Sequence, residues 1–211
     1  AESTLVKCLD SIFNQKFTQE FEVIAIDDVS LDNSLRILRE YQTEEPRLKI
    51  LENKVNKGPA MTRGAGTKAA AGKYIMHIDN DDWILPNAFE RIYSIIKKHE
   101  PDVILLDAYV KYGNKELKLK KFVDKEGLTQ SKISILEGFY SLSSTKIMKK
   151  ELSDDVLVFK ENFKTTGEDF LFCLEILFKA KTFYCLPEAY YVWNINEGSL
   201  TERTPNYEVI N

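Results

Sequence analysis

Cysteine is scarce in this chain. Its three copies among 211 residues, Cys8, Cys173 and Cys185, form an odd set with no C-x-x-C spacing. That excludes a disulfide framework or a cysteine-rich zinc site, and it makes them small buried hydrophobes of a reducing compartment. Nine glycines and six prolines are too few for a fibrous or disordered chain. No apolar run approaches the length of a membrane-crossing helix, and the first residues do not open a secretion signal. A cytoplasmic setting is therefore expected, with any attachment to the inner face of the membrane peripheral. No dense Lys/Arg block exists beyond the short 118–121 stretch, and the formal net charge is −4, so nucleic acid is not an expected partner. What is present, 44% hydrophobic and 29% charged residues, suits one domain with a well-buried core.

Helical and strand-like segments alternate along the first half. Leu5, Leu9, Ile12 and Phe13 fall at helical spacing. Residues 21–26 (FEVIAI) form a short apolar run that stops at Asp27 and Asp28, as a buried strand does. Asp32 or Asn33 can cap a helix carrying Leu35, Leu38 and Tyr41. A second strand is expected over 48–51, followed by a helix that Pro59 opens, with Ala60, Ala65, Ala69, Ala70 and Ala71 as a small-residue surface for close packing. Residues 74–78 (YIMHI) read as a third strand and 103–106 as a fourth, with a helix carrying Phe89, Ile92, Tyr93 and Ile96 between them. This alternation predicts a mostly parallel sheet covered on both faces. Residues 111–130 are polar and lysine-rich, a hairpin or loop over the sheet. From Glu168 the chain is apolar on nearly all sides, which predicts a buried helix, and 190–193 reads as a further strand.

Acidic residues gather where two of these strands end. In open α/β sheets that edge is where ligands bind. Asp27 and Asp28 fit either a ligand contact or a simple turn, since aspartate caps nearby backbone amides. Asp79, Asp81 and Asp82 place three carboxylates within four residues. Crowded there they repel one another and lose solvation, a cost that a bound cation removes. Hard oxygen ligands suit Mg2+ or Mn2+ carried with phosphate groups, so the D-x-D pattern fits a metal–diphosphate clamp. Glu168 and Asp169 stand at a helix start, where the helix dipole alone explains acidic residues but where a carboxylate is also well placed as a general base. Arg63, one turn into its helix, is suited to diphosphate oxygens or to a solvated surface. His77 within its strand reads as a packed residue and His99 as a C-terminal helix charge. Trp83 follows the carboxylates directly and has a claim on a bound sugar, whereas Tyr190 and Tyr191 read as packing.

The order of CLDSIFNQKF (8–17), FEVIAIDDVSLDNS (21–34), NKGPAMTRGAG (56–66), GKYIMHIDNDDWILP (72–86), GEDFLFCLEILFKA (167–180) and EGSLTER (197–203) resembles the family 2 glycosyltransferases of GT-A fold. The resemblance implies one α/β domain over 1–211, its sheet mixed but mostly parallel and flanked by helices. Residues up to about 110 would bind a nucleotide sugar, and the remainder would complete the acceptor side. It implies Asp28 at the nucleotide base with Asp27 beside it, and Arg63 near base and diphosphate. Asp79 would lie by the ribose, with Asp82 next to the clamp, and the metal on Asp81 and Asp79. Asp169 would be the catalytic base, flanked by Glu168. The implied reaction is inverting transfer from a UDP-sugar to a hydroxyl of a glycan, a polyol polymer or a lipid-linked acceptor.

Three departures accompany the likeness. The family's first strand would precede residue 1. Val29 stands where the family has glycine, and a β-branched residue disfavours the positive φ of such a turn, which predicts a different turn. Asn196 or Glu197 occupies the place of a family histidine that adds a metal ligand. Two other readings use the same residues: a non-catalytic nucleotide-sugar-binding module, and a metal-dependent phosphohydrolase, to which Asp82-Trp83 after Asp81 gives little support.

Overall fold

The structure, a computed structural model, describes residues 1–132, 135, 143–159 and 167–195. Asn196, Glu197 and the closing 197–203 segment lie outside the described residues. The elements run α1 (Glu2–Phe13), β1 (Val23–Asp27), α2 (Ser34–Glu44), β2 (Leu48–Glu52), α3 (Gly58–Ala69), β3 (Tyr74–Met76), β4 (Trp83–Ile84), α4 (Ala88–His99), β5 (Val103–Tyr112), β6 (Lys118–Lys120), β7 (Gly127–Thr129), β8 (Lys146–Lys149), α5 (Glu168–Lys179) and β9 (Phe183–Ile195). Among the described residues no helix is long and apolar enough to cross a membrane.

A mixed α/β sheet flanked by helices is what the sequence led us to expect, but its balance differs. β1 and β2 form a parallel ladder of their own, and the other seven strands form a second sheet along the path β3-β8-β5-β9-β4. Among the described residues of that sheet only β5 and β9 pair in parallel, and the other pairings are antiparallel. The expectation of a mostly parallel sheet is corrected by β8. This strand follows the Ser143–Thr145 turn and slots antiparallel between β3 and β5. β3, β5 and β9 therefore still point the same way, and their carboxyl ends share one edge of the sheet.

The continuous apolar start of β5 is explained by cover on both faces. Val103 packs with Phe172, Cys173, Ile176 and Leu177 of α5, while Ile104 and Leu106 pack with Ala88, Ile92 and Ile95 of α4. Each such buried aliphatic or aromatic side chain is worth about 1.5–3 kcal/mol. α1 spans the two ladders: Cys8 and Ile12 meet Ala108 and Tyr191, and Leu5 and Leu9 meet Leu38 and Leu48. The small-residue surface of α3 does allow close approach. A Cβ on Gly66 would meet Ile26 at 3.1 Å, and one on Gly64 would meet Phe159 at 2.8 Å.

Two further expectations change. α5 is buried on one side only, and Phe170, Leu171 and Phe178 are 47%, 40% and 68% exposed. Apolar residues all round the helix thus did not mean burial all round. Val29 adopts φ 65 despite its branched side chain, so the turn after β1 keeps the left-handed form. It is held by the Ser30 amide, which donates to Asp27 Oδ2 at 3.3 Å.

That turn is strained. The left-handed conformation costs a non-glycine residue about 1–2 kcal/mol, against about 0.5–1 kcal/mol of extra chain entropy that glycine loses on folding. Val29 is half-exposed, so Val29→Gly gives up little packing. It is expected to raise the melting temperature by about 1–4 °C; a lower melting temperature in a thermal scan would show that the turn is not strained.

Candidate active site

Arg63 gathers the site. One guanidinium nitrogen donates to Asp79 Oδ1 at 2.8 Å and the other to Asp169 Oδ1 at 3.1 Å, across 16 and 106 residues of sequence. The arginine is largely enclosed, its side chain 17% exposed. Burial alone would lower its pKa, but the two carboxylates more than offset this and hold the guanidinium firmly charged. With Glu168, Ala60, Phe159 and Phe172 it lines a small cleft.

Each of these positions has a local cause. Arg63 is carried by α3, whose start is fixed by Asp28. The backbone amides of Lys57 and Gly58 donate to the Asp28 carboxylate at 2.8–3.1 Å, and Asn53 Nδ2 donates at 2.7 Å. Burial raises the Asp28 carboxyl, yet these donors outweigh it and hold the group below the ordinary carboxylate range. Asp28 therefore caps a helix from another element, a favourable place for an anion. Asp27 is buried, and its Oδ1 has no hydrogen-bond partner among the described residues. Asp169 reaches Arg63 because the chain enters α5 through Gly167 at φ 122, a conformation open to glycine. Glu168 turns back onto the Gly167 amide at 3.2 Å.

The 79–82 loop distributes its three carboxylates differently. Asp79 is taken by Arg63. Asp81 is half-buried and its carboxylate accepts no hydrogen bond from another residue among those described; burial first, then the charge of Asp79, lifts its carboxyl above the ordinary range. Asp82 points inward. It accepts from the Asn194 amide at 2.8 Å and from the Tyr191 hydroxyl, and burial pushes it up to about 7 against these donors. The Asp79 amide donates to Tyr191 Oη at 3.3 Å, and Asn194 Nδ2 donates to the Asp81 carbonyl at 3.1 Å. β9 thus holds the loop by two of its side chains.

Behind Asp169 lie polar groups that sequence reasoning missed. The buried Ser143 side chain hydrogen-bonds it, while burial first and then Asp79 lift its carboxyl and Arg63 pulls the other way, for a net rise. Lys146 is buried on β8, and burial draws its amine below the usual lysine range in spite of Cys173 and Asp169 nearby. Ser143, Lys146 and Asn194 carry no motif that marks them, and Tyr191, expected as packing, also uses its hydroxyl. His77 is packed as expected: its Nε2 lies 3.1 Å from Thr67 Oγ1, its ring meets Phe172, and burial pushes it down to about 4, keeping it neutral. Trp83 is half-buried beneath the Lys7 ammonium, 2.9 Å from its ring centre. Asp81 and Asp169 are thus joined through Asp79 and Arg63. Among the described residues no group of three or more His, Cys, Asp or Glu is placed to hold a metal by itself.

The Tyr191 hydroxyl is the anchor most easily tested. Tyr191→Phe would strip the buried Asp82 carboxyl and the Asp79 amide of a partner, at a cost of about 1–3 kcal/mol. We expect a lower melting temperature with an unchanged circular dichroism spectrum; an unaltered melting temperature would mean that the loop does not lean on β9.

A sequence profile described as glycosyl transferase family 2 matches residues 1–156. The poly(ribitol-phosphate) beta-glucosyltransferase of Bacillus spizizenii is 32% identical over 86% of this chain and 28% of its own length. The poly(ribitol-phosphate) beta-N-acetylglucosaminyltransferase TarS of Staphylococcus aureus is 30% identical over 94% of this chain and 34% of its own. This chain therefore spans about a third of those two relatives. The crystal structure of S. aureus TarS 1-349 in complex with UDP-GlcNAc superposes with a TM-score of 0.82 at 28% identity, covering 96% of this chain and 58% of that one. The same fragment without a named ligand gives 0.80 at 27% identity, with 92% and 57% covered. An α/β sheet with its acidic edge, a profile matched over most of the chain and these relatives agree: the chain belongs to glycosyl transferase family 2.

Proposed function

We propose that this domain transfers a hexose or N-acetylhexosamine from a uridine diphosphate sugar to a hydroxyl of a polyol-phosphate polymer, with inversion at the anomeric carbon. The observation that carries this reading is Arg63 held between Asp79 and Asp169, which joins the acidic loop to the lifted, partly buried carboxylate that lines the cleft. The likeness to a UDP-GlcNAc complex supports the donor, and the two poly(ribitol-phosphate) transferases support the acceptor. The three free thiols fit the reducing cytoplasm, where the donor would be met.

In this reading the base lies by the end of β1, against the 53–58 turn that Asp28 builds, with Asp27 fixing the next turn. Both oxygens of Asp28 are engaged by Asn53, Lys57 and Gly58, so its part is to shape that wall. Arg63 offers its charge to the diphosphate, exchanging part of its hold on Asp79 as donor enters. Asp169 accepts the acceptor proton as the hydroxyl oxygen bonds to the anomeric carbon and the bond to the phosphate oxygen breaks. Burial suits it to this, since a lifted carboxyl is the stronger base. Glu168 lines the same cleft and adds to its negative field.

The residues fit a divalent cation of the Mg2+ or Mn2+ type. Asp81 presents an unpartnered, desolvated carboxylate, Asp79 stands two residues away, and a site with so few protein ligands suits an ion that shares its shell with phosphates. When bound, such an ion neutralises charge on the departing nucleoside diphosphate. Asp82, turned inward, serves by holding the loop.

Two variants separate these roles. Asp169→Asn is expected to slow sugar transfer about 10²–10⁴-fold while calorimetry finds donor binding nearly unchanged; near-normal turnover would remove Asp169 as the base. Asp81→Ala should abolish the manganese dependence of donor affinity, and an unchanged titration with and without manganese would count against the clamp.

A further inference from the structure

Nothing in the cleft accounts for the lysines of residues 111–125. That segment holds six lysines against two acidic residues, Glu116 and Asp124, in a chain whose formal charge is −4. The structure builds it as a hairpin: β5 runs to Tyr112, β6 returns beside it, and Asp107 Oδ1 closes the base by accepting from the Phe122 and Val123 amides at 2.7 and 3.0 Å. Lys115, Lys118, Lys120, Lys121 and Lys125 are exposed. Of these, Lys115, Lys118, Lys121 and Lys125 take part in no ion pair among the described residues, whereas Lys73, Lys49 and Lys149 elsewhere each have a carboxylate partner. Like charges left unpaired together repel, so the fold gains nothing from this row.

Its position gives it a use. β5 points the same way as β3 and β9, so the hairpin leaves the sheet at the edge that bears the 79–82 loop. Lys111 is paired in register with Asn194, the residue whose amide holds Asp82. Lys7, whose ammonium covers Trp83, feels the charge of Lys111. The basic row therefore begins beside the acidic loop and runs outward from it.

We propose that the 111–125 hairpin is the docking strip for the phosphate groups of the acceptor polymer. This rests on the polyol-phosphate reading of the acceptor given above. A chain of phosphodiesters approaching a net-negative protein, and a cleft lined by Glu168 and Asp169 beside the acidic 79–82 loop, is repelled unless positive charge lies along its path. The hairpin supplies that charge next to the cleft while leaving donor contacts to Arg63. Exposed lysine–phosphate contacts are individually weak, so affinity comes from several acting together and fades as salt screens them.

The test compares the wild-type protein with K115Q/K118Q/K121Q/K125Q, changes at exposed positions outside the catalytic and donor-binding machinery. UDP-GlcNAc or UDP-glucose serves as donor and poly(ribitol phosphate) as acceptor. At about 0.05 M salt the variant should show a KM for polymer raised about tenfold, with kcat and donor affinity within about twofold, and the difference should vanish near about 1 M salt. An unchanged KM overturns the proposal. So does a wild type that sediments with phosphatidylglycerol vesicles in a lysine-dependent way while polymer KM is unmoved, since the strip then serves a membrane. If the wild type transfers sugar to the polymer with neither donor, the acceptor reading itself has failed. Calorimetric titration of polymer alone then decides the strip: weaker binding by the variant supports it, and equal binding overturns it.

Discussion

One guanidinium between two carboxylates organises this domain. Asp79 and Asp169 come from the loop after β3 and the start of α5, and the Asp169 carboxyl feels burial and the charge of Asp79. Without a cation between them, two carboxylates brought this close would repel one another. Arg63 removes that conflict and fixes the spacing of the two elements. Its own place depends on Asp28, which caps the helix that carries it. A chain of charged contacts thus runs from the end of β1, through the start of α3, to the mouth of α5.

The three aspartates of the 79–82 loop show how burial divides labour among identical side chains. Asp79 is committed to arginine, Asp81 is desolvated without a partner, and Asp82 is turned into the core and gripped by β9. The inward residue makes the outward one useful, because a ligand group is only as well placed as the shell that holds it. β9 reaches the loop because it runs in parallel beside β5 along the same ten residues that lead to the lysine hairpin. The strand that holds the acidic loop is therefore the neighbour of the strand that leads into the basic hairpin.

Much of this was legible in the sequence. The first-half alternation of strands and helices, the strand-end aspartates and the small-residue helix follow from periodicity and from where apolar runs stop. The order of the motifs pointed to the family that the profile and relatives identify. What stayed hidden depends on contacts between distant segments. The pairing of Arg63 with Asp169 spans 106 residues, and neither residue's local pattern points to the other. Asp28 fitted either a ligand contact or a turn, and the amides its oxygens meet come from residues 57 and 58, far along the chain. β8 was missed because four residues beside a polar stretch give no period, and its antiparallel insertion changed the balance of the sheet. Val29 showed the reverse: its side chain argued against a left-handed turn, and the surrounding hydrogen bonds imposed one.

The central claim is that Arg63, Asp81 and Asp169 face one bound donor. A crystal structure of the protein with UDP-GlcNAc and manganese, with the metal located by its anomalous scattering, tests this most directly. The account predicts a manganese peak on Asp81, the diphosphate against Arg63, and the anomeric carbon open toward Asp169. A donor bound on another surface, with Arg63 still closed on Asp79 and Asp169, would contradict it.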